Sequence, residues 1–68
     1  MTNLEKLRKF RDNYVNYQVM EASATLSGNA MIEVERDIRA YYRNLNTNAI
    51  IEEAIIEGFI KSKKDILC

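Results

Sequence analysis

The chain has no histidine and no proline, two glycines and a single cysteine among its 68 residues. Each shortage excludes something. Without histidine the commonest general base of enzymes is missing, and so is the usual nitrogen ligand of a structural zinc site. One cysteine, Cys68, cannot close a disulfide within the chain. A lone thiol fits a reducing cytosol. The lack of proline and scarcity of glycine favour uninterrupted helices over turn-rich β structure. No apolar run approaches the ~20 residues needed to span a bilayer. The opening "MTNLEKLRKFRD" carries charge with no apolar stretch behind it, so no secretory signal is expected. Ten basic and ten acidic residues cancel to zero net charge. Any attraction to nucleic acid or anionic lipid must therefore come from a local patch. A cytoplasmic protein with no membrane partner, no metal and no cofactor is the expectation.

What is present is a globular composition, 47% hydrophobic and 29% charged. A chain this short buries only about 60% of its unfolded surface. Domains of this size usually add a disulfide, a metal or a partner subunit. With the first two set aside, oligomerisation remains.

Helical spacing runs through the chain. Thr2 and Glu5 form a capping box, and Leu4, Leu7, Phe10, Tyr14 and Tyr17 follow at intervals of three and four. This predicts a first helix over about 3–26, broken at Ser27, Gly28 and Asn29. Met31, Val34, Ile38, Tyr41 and Leu45 make an apolar seam that Tyr42 widens. They predict a second helix over about 30–45, with Asn29 as N-cap. The turn "NLNTN" leads to a third helix over about 48–64, capped by Thr47 or Asn48. Glu52 and Glu53 in its first turn, and Lys61, Lys63 and Lys64 in its last, suit the helix dipole. The tail "DILC" is expected to fray. Residues 1–68 thus read as one all-α domain, a small three-helix bundle or a helical hairpin plus a third helix, completed by homodimerisation.

"AIIEEAIIEGFI", residues 49–60, carries the reason for that last step. Ile51, Ala54, Ile55 and Gly58 share one helical face, with Phe59 beside it. The apolar arc is wider than one surface helix needs. Ala54 and Gly58 are small residues four apart, a spacing that lets another backbone come close. Ile51, Ala54, Ile55, Gly58 and Phe59 are therefore the candidate oligomer interface. Gly58→Leu is expected to disturb self-association more than folding.

Arg36, Arg39 and Arg43 line the second helix away from its seam, with Ile32 among them and Tyr42 at its margin. A solvated face with a Glu35–Arg39 pair is the ordinary reading. The functional one is a partner-binding surface, since guanidinium groups suit bidentate contact with carboxylate or phosphate. Lys6, Arg8, Lys9 and Arg11 form a second basic patch at the N-terminus. Tyr14, Tyr17, Tyr41 and Tyr42 read as core-edge residues, with Tyr42 the most exposed. Glu52, Glu53 and Glu57 read as a solvated acidic face rather than a cation site, which needs a shaped oxygen shell.

These features predict a non-enzymatic small helical protein that binds itself and another protein. A regulator, inhibitor or adaptor of the kind small phage proteins provide fits best. One alternative is nucleic-acid binding through the N-terminal patch and the arginine stripe. A helix-turn-helix reading fails, because the third helix would bring Glu52, Glu53 and Glu57 to the phosphates. The other alternative is a sponge for an anionic nucleotide, built on Tyr42 and the arginines.

Overall fold

Thr2 begins the fold much as a capping residue should. Its hydroxyl accepts the Glu5 N–H at 3.2 Å and donates to Glu5 Oε1 at 3.3 Å. The Glu5 side chain thus takes the hydroxyl proton instead of reaching back to the Thr2 N–H. From this cap the computed structural model, which describes residues 2–67, runs as four helices with no strand among the described residues. They are α1 (Asn3–Ser23), α2 (Gly28–Arg43), α3 (Thr47–Ile56) and a single turn, α4 (Lys64–Leu67). The all-α reading holds. None of these helices is long and apolar enough to cross a membrane. Cys68 lies outside the described residues.

The boundaries differ from expectation where local chemistry decides them. The first helix stops at Ser23, not near Leu26. The Ser23 hydroxyl bonds back to the Val19 carbonyl at 2.6 Å, a competition with the helix ladder that serine favours. Gly28 adopts a left-handed φ of 63° and turns the chain into α2. Ser27, not Asn29, is the N-cap of α2. The cap of α3 is Asn46, whose side chain accepts the Ala49 N–H at 2.8 Å. Thr47 and Asn48 are already helical.

The third helix ends at Ile56, well short of residue 64. Gly58 has φ 80°. Its N–H donates to the Ile55 carbonyl at 3.1 Å, and the Phe59 N–H donates to Ala54 at 2.9 Å. This pair of bonds is the Schellman ending, in which glycine takes the left-handed position. So Gly58 closes the helix rather than opening a groove on its side. Lys61, Lys63 and Lys64 lie beyond α3 and do not serve its dipole. A Cβ at Gly58 would meet nothing within 4 Å, so only the backbone opposes a substitution. Gly58→Ala is expected to lower stability by about 1–2 kcal/mol, the cost of a left-handed L-residue. Gly58→Asn should lose less. Urea denaturation measures both, and an alanine variant as stable as the parent would contradict the cap.

The reversal at Gly58 sends Phe59 back onto α1. Its ring centroid lies 5.2 Å from Tyr14, 5.1 Å from Tyr17 and 6.0 Å from Phe10. Residues 65–67 of the tail are held rather than frayed. Asp65 accepts the N–H groups of Lys61 and Ser62, Ile66 packs on the core, and Lys6 Nζ donates to the Leu67 carbonyl at 3.1 Å.

α1 packs against each of the other three helices. The core takes Phe10, Tyr14 and Val15 from α1, Tyr42 from α2, and Ile50, Ile51 and Ala54 from α3. Leu7, Val19, Ile38, Leu45, Ile60 and Ile66 surround them. Ile51 and Ala54 are thus spent inside one chain and are closed to a second copy, contrary to their expected place in an oligomer interface. The reason is the phase of α3, which turns Ile50, Ile51 and Ala54 inward together. Ile55 and Phe59 keep some exposure, 39% and 37%.

Candidate functional site: an arginine-lined helix face

The rotation of α2 about its own axis is set from inside. Tyr42 is buried, and its hydroxyl donates to Glu53 Oε2 on α3 at 2.5 Å. Tyr14 of α1, fully buried, donates to the same oxygen at 2.7 Å, and Gln18 Nε2 donates to the Tyr14 hydroxyl at 2.9 Å. One carboxylate oxygen therefore joins three helices. Glu53 is half-buried there and is not part of a solvated acidic face. The two rings meet edge-on, with centroids 5.8 Å apart. Burial comes first among the causes that raise both phenol pKa values far above the ordinary 10.0, and the hydrogen bond to Glu53 adds to it.

With Tyr42 fixed inward, helical periodicity dictates the rest. Val34 and Ile38 lie on the same side as Tyr42. Ile32, Arg36, Arg39 and Arg43 face out, all exposed. They line a shallow depression of about 380 Å³ with Glu35 and Ala40. A second cleft of about 290 Å³ adjoins it, lined by Arg11, Asp12, Val15, Tyr42 and the same Arg39 and Arg43. The two make one arginine-rich surface along α2.

Within it the arginines differ. Arg39 pairs with Glu35 at 3.0 Å, the only ion pair among the described residues, and donates to Asn16 Oδ1 on α1 at 3.0 Å. That exposed pair is worth only a few tenths of a kcal/mol. Arg36 and Arg43 make no side-chain hydrogen bond or ion pair among the described residues, so their guanidinium donors point to solvent. Ile32 is 60% exposed beside them.

Four of the five residues expected to bind a partner are therefore brought together: Ile32, Arg36, Arg39 and Arg43. Tyr42 is the exception: it lines the second cleft but is buried, with its hydroxyl turned to Glu53. The exposed member of the pair is Tyr41, at 59%. The N-terminal patch does not assemble. Arg11 turns inward and donates to the carbonyls of Tyr42, Arg43 and Leu45 and to Thr47 Oγ1. It closes the C-terminal end of α2, where carbonyls lack helical partners. Lys6 is held by the Leu67 carbonyl. Only Arg8 and Lys9 remain exposed and uncommitted. Reading Arg11 as surface charge missed this role, and no local signal marks it, because its acceptors lie more than thirty residues away.

No three His, Cys, Asp or Glu side chains gather as a metal would need among the described residues. Compared with known proteins, the chain matches no family model, no curated protein sequence and no solved structure.

Proposed function

We propose that this chain is a non-enzymatic binding protein, a regulator, inhibitor or adaptor of the small phage type, and that it meets another protein through the outward face of α2. The carrying observation is the exposed strip of Ile32, Arg36, Arg39 and Arg43, with two guanidinium groups uncommitted. An apolar side chain among arginines suits an acidic partner segment with an aliphatic anchor. Arginine is enriched at interfaces for such contacts. Nucleic acid is a weaker reading, since Lys6 and Arg11 are drawn away from the basic patch it would use. Self-association belongs to the same proposal, because a chain of this length gains stability from a second copy.

Native mass spectrometry of the protein isolated from cells that make it tests this reading. The parent should carry a second protein mass. Arg36→Glu/Arg43→Glu should lose it while keeping its helicity, as both side chains lie outside the core. A complex unchanged by the double substitution, or a bound oligonucleotide, would overturn the assignment.

A further inference from the structure

Two exposed helix faces of this chain complement each other. On α2, Ile32 stands among Arg36, Arg39 and Arg43. On α3 the exposed positions Asn48, Glu52 and Ile56 lie opposite the buried Ile50, Ile51 and Ala54, with Ile55 at the edge of the buried face. Ile56 is 82% exposed, more than any other large apolar side chain among the described residues. Glu57 follows at the C-cap and is also exposed. Each face thus sets an exposed isoleucine beside charge of one sign, and the signs are opposite.

The spacings match as well. At 1.5 Å per residue, Ile32 and Arg36 lie about 6 Å apart along α2, as Glu52 and Ile56 do along α3. The depression on α2 is lined by α2 residues alone, so α3 of the same chain does not occupy it. The carboxylates nearest the strip do not cancel it. Glu35 is held by Arg39. Glu33 and Asp37 fall on another flank of the helix, and Asp12 of α1 lies in the adjoining cleft, at the Arg39 and Arg43 end and away from Ile32 and Arg36.

We infer that the α2 face of one copy docks the outward α3 face of a second copy, so that a partner protein competes with that copy for the strip. With the two helices antiparallel, Ile32 meets Ile56 and Arg36 meets Glu52. The inference rests on the self-association proposed above and moves its surface away from Ile51, Ala54 and Gly58.

Sedimentation equilibrium of the full chain at 0.15 M salt tests it, where charges farther apart than about 8 Å are screened. The samples are the parent, Arg36→Glu/Arg43→Glu, Glu52→Lys/Glu57→Lys, and an equimolar mixture of the two variants. Circular dichroism checks that each variant keeps its helices. The parent should associate, and each variant alone should do so about tenfold more weakly or less, a change of about 1.4 kcal/mol. The mixture should recover association, because each acidic face then meets a basic one in both directions. A parent that stays monomeric overturns the docking and self-association together. A parent that associates, with unaffected variants or no recovery on mixing, overturns this docking and leaves self-association standing.

Discussion

Glu53→Ala is expected to lower stability by about 3–5 kcal/mol. The side chain accepts two hydroxyl hydrogen bonds at one oxygen, and hydrogen bonds to charged groups contribute about 1.5–3 kcal/mol each. The loss leaves the Tyr42 hydroxyl without its acceptor and Tyr14 with only the Gln18 amide donating to it. A chain of this length has a total stability of only about 3–10 kcal/mol, so the variant should lose at least about a third of it. Glu53→Gln keeps an acceptor oxygen and should lose much less. Urea denaturation followed by circular dichroism separates the two. An alanine variant within about 1 kcal/mol of the parent would mean that the three helices are held without the carboxylate.

Alkaline pH should unfold the chain through the same groups. Tyr14 and Tyr42 resist ionisation in the folded state chiefly because they are buried, and then because of Glu53. In the unfolded chain they ionise near 10.0. Both folded values are raised, so this contribution is fully present below pH 10 and falls as pH climbs above it. With two such groups the loss is about 2–3 kcal/mol per pH unit once the unfolded chain ionises and the folded one does not. Helix signal at 222 nm should therefore fall as tyrosinate absorbance at 295 nm completes its rise. Full ionisation of all four tyrosines with the helix signal intact would show that Tyr14 and Tyr42 are not sealed.

Much of the fold is legible in the sequence where signals are local. The Thr2 cap, an interruption before α2 and the all-α class follow from capping residues, glycine and periodicity, although the interruption covers residues 24–27 and not Ser27, Gly28 and Asn29. So does the arginine strip, because residues 32, 36, 39 and 43 share a face whichever neighbouring tyrosine turns inward. The choice between Tyr41 and Tyr42 is not local. Both fit the apolar seam, and Glu53, eleven residues later, selects Tyr42. Glu53 itself sits in a run of glutamates that reads as surface charge. Its burial depends on Tyr14, thirty-nine residues away.

Gly58 is a different case. A glycine one residue past the last helical turn, followed by an apolar residue, is a Schellman signature. The wide apolar arc of residues 49–60 concealed it, since continued helix explained the isoleucines equally well. The arc has two causes. Ile50, Ile51 and Ala54 supply the core, and Ile55 and Ile56 remain outside it. The apolar surplus in this short chain is real, and it lies on α3 opposite the side that packs.

The central claim is that this chain meets other molecules through the outward face of α2. The most direct test is an ¹⁵N–¹H NMR spectrum with the guanidinium Nε–H signals assigned, recorded on dilute protein and on the assembled species. The account predicts shifts concentrated at Ile32, Arg36, Arg39 and Arg43, including the Arg36 and Arg43 side chains. Shifts confined to Arg8 and Lys9, or a spectrum in which α2 does not change on assembly, would contradict it.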